Sequence, residues 1–190
     1  MKISTTKLEG VFLIEPKILI DDRGYFFESY KKSTLDERLG HAFDLVQNNE
    51  SKSTYGVLRG LHYQLPPFSQ SKLVRVIQGS VLDVAVDIRK GSPTFGEHIA
   101  IELSEENKKQ LFIPRGFAHG FLVTSPTAIF SYKVDNYYSS EHDRGILYND
   151  LDLGIDWGID EKELVLSDKD MNQPNFKDAE LFDYNQNLYS

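Results

Sequence analysis

The chain has 190 residues, the length of one ordinary domain, and we expect residues 1–190 to form a single domain with its own core. It contains no cysteine, which excludes a disulfide framework, a thiolate metal site and a cysteine nucleophile. The formal net charge of −8 argues against nucleic acid as a partner, although a few arginines and lysines in one cleft can still bind a small anion.

Neither a secretory nor a membrane-spanning segment is expected. The start of the chain is polar and charged, unlike a signal peptide, and no apolar run approaches the roughly 18 residues of a membrane span. Because the lack of cysteine also fits a reducing compartment, we expect a cytoplasmic protein without a membrane partner.

The first predicted elements are strands at residues 11–14 and 25–30, on either side of an Asp-Asp-Arg-Gly turn at residues 21–24. Thr34 and Glu37 have the spacing of a capping box. We therefore expect a short helix that starts at Thr34 and ends near Gly40.

Alternation with a period of two indicates strands in the middle of the chain. In residues 81–88 the even positions are all apolar, whereas the odd positions include Asp83 and Asp87. Further strands are expected at residues 71–77, 99–103, 110–113, 120–123 and 128–134, and a second short helix near 177–184. The pattern predicts an all-β fold, a jelly roll with a few short peripheral helices.

His62 is the first candidate for chemistry. Arg59 and Lys72 are close in sequence, and a neutral imidazole beside two cations stays ready to accept a proton near neutral pH. In a regular strand, however, Arg59 and His62 would point to opposite faces. Both can serve one site only if Gly60 marks a bulge or a bend.

Lys72 and two tyrosines are further candidates. Lys72 lies an even number of positions from apolar residues of its strand, so its side chain shares their face and its ammonium can point inward at an oxyanion. Asp83 is a possible supporting partner of Lys72. Tyr132 and Tyr138 also share parity, and a buried phenol near cations can act as a general acid.

A metal site is the competing interpretation. The spacing Pro114-x-Gly116-x-x-His119 is similar to one motif of metal-binding cupins. Those proteins also need a His-x-His motif, and residues 62–64 here read His-Tyr-Gln. Two histidines without a well-placed carboxylate make a weak metal site, so we expect no metal.

The ordered set of motifs resembles the dTDP-4-dehydrorhamnose 3,5-epimerases from about Leu13 to Pro174. The matching segments are RGLHYQ at 59–64, KLVRV at 72–76, DVAVDIR at 83–89, GSPTFG at 91–96, residues 114–121, Tyr132-Lys133 and Ser167-x-Lys169-Asp170. The resemblance implies a cupin-like double-stranded β-helix, a homodimer and no cofactor. It implies epimerisation of a nucleotide-linked 4-keto-6-deoxyhexose at C3 and C5, with thymidine as the usual nucleoside.

The resemblance also implies the role of each site residue. His62 is similar to the general base, Asp170 to its orienting carboxylate, Tyr132 to the acid and Lys72 to the group that stabilises the enolate oxygen. The residues implied in substrate binding are Phe26, Glu28, Gln47, Asn49, Arg59, His119, Tyr138, Asp143 and Lys169, with Arg23 lent by the neighbouring subunit.

Some positions depart from the family pattern, and other functions stay open. Ser71 stands where glycine or alanine is expected, Asp143 where glutamate is common, and Asp152 and Gly158 where prolines are usual. The alternatives are an epimerase that acts at C3 or C5 alone, a 3,4-ketoisomerase, a metal-dependent cupin enzyme that uses His62 and His119, and a non-catalytic sugar-binding jelly roll.

Overall fold

The computed structural model describes residues 1–40 and 42–189. In chain order the strands are β1 (Lys2–Thr5), β2 (Phe12–Glu15), β3 (Leu19–Asp21), β4 (Gly24–Phe26), β5 (Gln47–Thr54), β6 (Leu58–Gln64), β7 (Lys72–Gln78), β8 (Ser80–Asp87), β9 (Arg89–Lys90), β10 (His98–Ser104), β11 (Gln110–Ile113), β12 (Phe117–Val123), β13 (Thr127–Val134), β14 (Asp143–Gly145) and β15 (Phe182–Asp183). The α-helices are α1 (Lys32–Leu39) and α2 (Asp168–Met171), and two 3₁₀ turns lie at Glu161–Glu163 and Phe176–Asp178. The predicted all-β class is confirmed.

Two antiparallel sheets form the body of the molecule. One has six strands in the order β1-β2-β11-β7-β13-β5, and the other has five in the order β10-β8-β12-β6-β14. Side chains from the inner faces of both sheets, such as Val74, Val81 and Phe130, form one apolar cluster between them. The remaining pairs are the antiparallel β3–β4 hairpin and the parallel β9–β15 pair.

Strand β8 shows the predicted alternation, but neither of its faces meets water. Val81 and Ala85 point into the cluster between the sheets. Val84 and Val86 point outward and pack against the C-terminal part of the chain, which contributes Trp157 among others. The five-stranded sheet is therefore covered on both sides, which explains why the even positions of β8 from Leu82 to Val86 are apolar.

Helix α1 covers the outer face of the six-stranded sheet. Leu35 is its buried residue and packs in a cluster with Phe12 and Phe112. The predicted capping box is wrong because the helix begins two residues before Thr34, after Lys31, whose side chain makes no capping hydrogen bond. The predicted end is confirmed: Gly40 adopts φ 77°, a left-handed conformation that suits glycine.

Two other local predictions differ from the structure. The strand expected at 25–30 ends already at Phe26, and the helix expected near 177–184 is replaced by a 3₁₀ turn and β15. Phe182 is buried, and its main-chain N–H donates to the carbonyl of Ile88. The C-terminal segment thus covers the sheet in extended form. Within the described ranges, none of the helices is both long and apolar enough to cross a membrane.

Candidate active site

A cavity of about 770 Å³ opens between the two sheets. Eight of the residues singled out from the sequence line it. They come from both sheets and from α2: Asn49, Arg59, His62, Lys72, His119, Tyr132, Lys169 and Asp170. Segments that are far apart in sequence therefore meet at one site.

A bulge in β6 brings Arg59 and His62 to the same cavity. His62 pairs with His119 and Arg59 with Phe121, so one more residue lies on β6 than on β12 between these pairs. Gly60 sits inside this stretch with φ 142°, and a Cβ atom there would lie 2.5 Å from Cα of Gly120. The predicted bulge at Gly60 is confirmed, and only glycine allows this close approach.

His62 meets a buried carboxylate from α2. Its Nε2 atom lies 2.7 Å from Oδ1 of Asp170. Asp170 also accepts a hydrogen bond of 2.6 Å from the hydroxyl of Ser167. Burial alone would raise the pKa of Asp170, but the hydrogen bonds from His62 and Ser167 hold that pKa below its ordinary value. Because Nε2 is occupied by a carboxylate, Nδ1 is the ring nitrogen that is left for a ligand.

His119 has its own carboxylate on the neighbouring strand. Its Nε2 atom and Oδ2 of Asp83 are 2.9 Å apart, and both side chains are buried. Burial lowers the pKa of His119, and the nearby Asp83 charge opposes this effect. The hydrogen-bond partner of Asp83 is therefore His119 and not Lys72, to which the sequence had assigned it. Asp83 acts on Lys72 only through its charge.

Lys72 is the first residue of β7 and points toward the cavity, as its parity predicts. Its Nζ atom donates one long hydrogen bond of 3.4 Å to the carbonyl oxygen of His62. Burial lowers the pKa of Lys72 to about 8, although Asp143 and Asp83 work in the opposite direction. The ammonium thus lies on the main chain of His62, and no carboxylate of the described residues is bound directly to it.

Tyr132 reaches the cavity from the other sheet. It belongs to β13, whereas His62 belongs to β6, so the phenol and the imidazole line one cavity from opposite walls. Burial raises the pKa of Tyr132, while Arg59 and Asn49 counteract part of this rise. Tyr132 is therefore protonated at neutral pH and can donate a proton.

Three predicted binding residues lie beside the cavity and contact its lining. Gln47 donates a hydrogen bond of 2.8 Å to Oδ1 of Asn49. Asp143 forms an ion pair with Lys169 and accepts a hydrogen bond of 3.1 Å from the hydroxyl of Tyr138. Strand β13 ends at Val134, so Tyr138 reaches this region from a loop and not by the strand parity that suggested it.

The last three predicted residues lie elsewhere in the subunit. Arg23 and Phe26 belong to the β3–β4 hairpin, where Arg23 binds Asp21 and 67% of Phe26 is exposed. Glu28 follows this hairpin, and its carboxylate lies 3.9 Å from Nζ of Lys31. The fold of one subunit does not bring these side chains to the cavity.

Sequence reasoning missed the apolar wall of the cavity. Phe121 and Phe130 line it as a stacked pair whose ring centroids are 4.1 Å apart. The alternation of side chains along a strand could have identified both residues. Phe121 lies two positions from His119 and Phe130 two positions from Tyr132, so each shares a strand face with a predicted site residue. The wall offers a surface for an apolar part of a ligand.

The side chains around the cavity do not fit a metal ion. Within residues 1–40 and 42–189, no three His, Asp or Glu side chains are grouped to hold one. Nε2 of each histidine faces its own carboxylate, and the charge of Lys72 acts on His119. A cation beside Lys72 would be repelled, whereas an oxyanion would be attracted.

Comparison with known proteins agrees with this geometry. A family model described as dTDP-4-dehydrorhamnose 3,5-epimerase matches residues 5–178. The dTDP-4-dehydrorhamnose 3,5-epimerase of Shigella flexneri is 51% identical to this chain over 182 residues, which are 96% of this chain and 99% of that protein.

Solved structures give the same result. The dTDP-4-dehydrorhamnose 3,5-epimerase of Elizabethkingia anophelis is 52% identical, with a TM-score of 0.90 over 94% of this chain and 97% of that one. The dTDP-6-deoxy-D-glucose-3,5-epimerase of Legionella pneumophila, in complex with dTDP-4-keto-L-rhamnose, is 46% identical, with a TM-score of 0.93 over 97% and 99% of the two chains. These matches confirm the expected cupin-like jelly roll. The chain belongs to the dTDP-4-dehydrorhamnose 3,5-epimerase family.

Proposed function

We propose that this protein epimerises a nucleotide-linked 4-keto-6-deoxyhexose at C3 and C5, converting dTDP-4-dehydro-6-deoxyglucose into dTDP-4-dehydrorhamnose. The observation that carries this proposal is that His62 and Tyr132 line one cavity from opposite sheets, and that Lys72 lines the same cavity with its ammonium on the main-chain carbonyl of His62. A base and an acid on opposite walls suit a reaction that removes a proton from one side of a sugar ring and returns one to the other.

The chemistry follows from the ketone at C4, which acidifies the protons on C3 and C5. His62 removes each proton, and Asp170 holds the imidazole in the required orientation and stabilises its charged form. Negative charge then develops on the C4 oxygen, where the ammonium of Lys72 stabilises it. Tyr132 delivers a proton to the other face. Only protons move, so the reaction needs neither a nicotinamide nor a metal.

The substrate's diphosphate and nucleoside account for the other polar residues. Arg59, His119 and Lys169 line the cavity and supply positive or hydrogen-bonding groups for the sugar and the diphosphate. We assign Gln47, Asn49, Tyr138 and Asp143 to the nucleotide; Asn49 lines the cavity, and the other three are linked to its lining by hydrogen bonds and an ion pair. The apolar pair Phe121 and Phe130 offers a surface for the methyl group of a 6-deoxy sugar.

We propose that the protein is a homodimer in which the hairpin of one subunit completes the site of the other. Arg23, Phe26 and Glu28 are remote from the cavity of their own subunit. The hairpin is also unusually apolar for an exposed element, since Leu19, Ile20 and Phe26 are all more than half exposed. A partner subunit that covers this hairpin would bury it and receive Arg23.

A cytoplasmic location and a single domain spanning residues 1–190 belong to the same proposal. A nucleotide sugar is made from a cytoplasmic nucleotide, and the cysteine-free composition suits a reducing compartment. The apolar clusters between and outside the sheets link the N-terminal strands to the C-terminal segment, which supports one folding unit.

The decisive experiment is incubation with dTDP-4-keto-6-deoxyglucose in D₂O, followed by proton NMR and mass spectrometry. We expect deuterium at both C3 and C5 and conversion to the rhamno product. Deuterium at one carbon alone would make the protein a single-centre epimerase, and binding without exchange would make it a sugar-binding protein. Activity that is lost with EDTA and restored by a divalent metal would favour the metal-dependent alternative.

A further inference from the structure

The start of β7 is held by a polar cluster that lies outside the cavity. The side chains of Arg115 and Asp135 in this cluster are largely buried, whereas Tyr189 is 47% exposed. Ser71, the residue before Lys72, is fully buried. Its main-chain N–H donates a hydrogen bond of 2.6 Å to Oδ1 of Asp135, and its hydroxyl is hydrogen-bonded to the hydroxyl of Tyr189 at 2.9 Å. The N–H of Asp135 donates back to the carbonyl of Ser71 at 3.4 Å. The main-chain N–H and the carbonyl of Ser71 are therefore both hydrogen-bonded to Asp135.

Arg115 ties this cluster to the C-terminal segment. Its Nε donates to Oδ2 of Asp135 at 2.9 Å, and Nη1 donates to the carbonyl of Leu188 at 2.6 Å. The guanidinium lies 4.8 Å from the ring centroid of Tyr189, and the main-chain N–H of Arg115 donates to the Tyr189 hydroxyl at 3.3 Å. Tyr189 is thus bound to both β7 and the segment before β12. We call Ser71, Arg115, Asp135 and Tyr189 the C-terminal clasp.

The clasp is important for the position of Lys72 because few contacts hold the side chain of this residue. Within the part of the chain that the structure describes, its ammonium makes a single long hydrogen bond, at 3.4 Å, to a carbonyl oxygen. The position of that ammonium therefore depends on where β7 begins, which the clasp holds together with the pairing of Lys72 to Ile113 and Val134 in the sheet.

We infer that Ser71 and Tyr189 are positioning residues that hold the ammonium of Lys72 against the C4 oxygen of the substrate. The inference rests on the proposed role of Lys72. A displaced ammonium would stabilise the enolate less well, whereas the groups that bind the diphosphate would stay in place. Loss of the clasp should therefore lower kcat and leave KM nearly unchanged.

The test removes one hydroxyl at a time. Tyr189→Phe keeps the ring on Arg115, and Ser71→Ala removes the hydroxyl and keeps the main chain that binds Asp135. We expect each to lower kcat about 3- to 10-fold, the effect of one net hydrogen bond, with KM changed by less than about two-fold. The double variant should lose no more than Tyr189→Phe alone, because that variant already deletes the bond that Ser71→Ala removes, together with the bond from the main-chain N–H of Arg115. Tyr184→Phe is the matched control: its hydroxyl binds Glu9 on the surface, and kcat should not change.

Measuring Tyr189→Phe in a Lys72→Ala background separates the inferred role of the clasp from the proposed role of Lys72. Lys72→Ala should lower kcat roughly 10²- to 10³-fold, the usual cost of one oxyanion donor. In that background Tyr189→Phe should have no further effect. If Lys72→Ala lowers kcat but Tyr189→Phe leaves it unchanged, or lowers it equally in both backgrounds, the clasp does not act through Lys72. If Lys72→Ala retains full turnover, the proposed role of Lys72 is wrong, and the inference is overturned with it.

Discussion

Two histidines in the cavity have similar partners but different surroundings. Nε2 of His62 and Nε2 of His119 each meet a buried aspartate, at 2.7 and 2.9 Å. The side chain of His62 is 29% exposed, however, whereas that of His119 is 7% exposed. A base must reach the substrate's C–H bond, and the imidazole of His62 is the more accessible of the two. His119, whose pKa is lowered by burial, is suited to hydrogen bonding as a neutral ring.

The pairing of His62 with Asp170 leads to a graded pair of variants. His62→Ala should lower kcat by roughly 10²- to 10⁴-fold, the usual contribution of a positioned base. Asp170→Asn should also lower kcat, by a smaller factor, because an amide can stabilise the wrong imidazole tautomer. Solvent-exchange rates at C3 and C5 measure both effects, with thermal unfolding as the folding control. Turnover near the native value in His62→Ala would remove this residue from the mechanism.

The lowered pKa of Lys72 predicts how activity and stability depend on pH. Only the charged form stabilises an enolate, so kcat/KM should fall as the pH rises through about 8. The ordinary pKa of lysine is 10.5, so between these values the unfolded chain binds more protons than the folded one. Stability should therefore increase with pH in this window.

Lys72→Met tests the stability part of this prediction. Below pH 8 the ammonium of Lys72 is charged and buried, which costs the native protein stability. The methionine variant carries no such charge and should therefore unfold at a higher temperature. The difference should shrink as the pH rises from 8 toward 10.5. A difference in melting temperature that stays constant over this range would mean that the pKa of Lys72 is not lowered by folding.

At the scale of the elements, hydrophobic alternation identified the strands of the apolar core and failed where strands are polar. Strand β5 reads QNNESKST, yet its odd-numbered residues from Gln47 to Ser53 are half-buried or buried. These polar residues face the cavity or the space between the sheets, so no apolar signal marks them. The C-terminal prediction failed for a different reason. Phe176 and Phe182 cover a sheet that the sequence alone does not locate.

The bulge in β6 gives a prediction for an element. Gly60→Ala should destabilise the fold by at least about 2 kcal/mol and nearly abolish activity, because the added Cβ meets Gly120 at 2.5 Å and φ is 142°. Denaturant unfolding and turnover measure the two effects. Gly154→Ala is the control: its φ is also positive, at 55°, but its nearest neighbour is 3.9 Å away. Equal losses in the two variants would mean that the close strand contact is unimportant.

At the scale of the whole molecule, the exposed hairpin should determine assembly. Ile20 is 80% exposed on β3, and Ile20→Ser should weaken the dimer so that it dissociates on dilution. Activity should fall along with it, because Arg23 would no longer reach the partner's site. Sedimentation and activity over a dilution series measure both. Leu151→Ser, at a position that is 95% exposed in a loop, should change neither. A native protein that sediments as a fully active monomer would contradict the proposal.

The site as a whole could be predicted only in part from residue patterns. Parity and the glycine at position 60 correctly indicated that Arg59, His62 and Lys72 share one cavity. No pattern connects His62 with Asp170, because contacts between distant segments depend on how the C-terminal part folds back over the sheet. That pairing came from the resemblance to a family. The catalytic roles of these residues stay predictions until the variants are measured.

Because His62 and Tyr132 lie on separate sheets, turnover should depend on how rigidly the two sheets are held apart. The distance between two packed sheets is set by the side chains that fill the space between them, here residues such as Val74, Val123 and Phe130. A hexose ring must fit this gap while both reactive groups stay within reach. Replacing a core side chain with a smaller one would therefore change the distance between the sheets. This should lower kcat although no reactive atom is altered. With the proposed roles of His62 and Tyr132, the apolar side chains between the sheets would set the distance between the base and the acid.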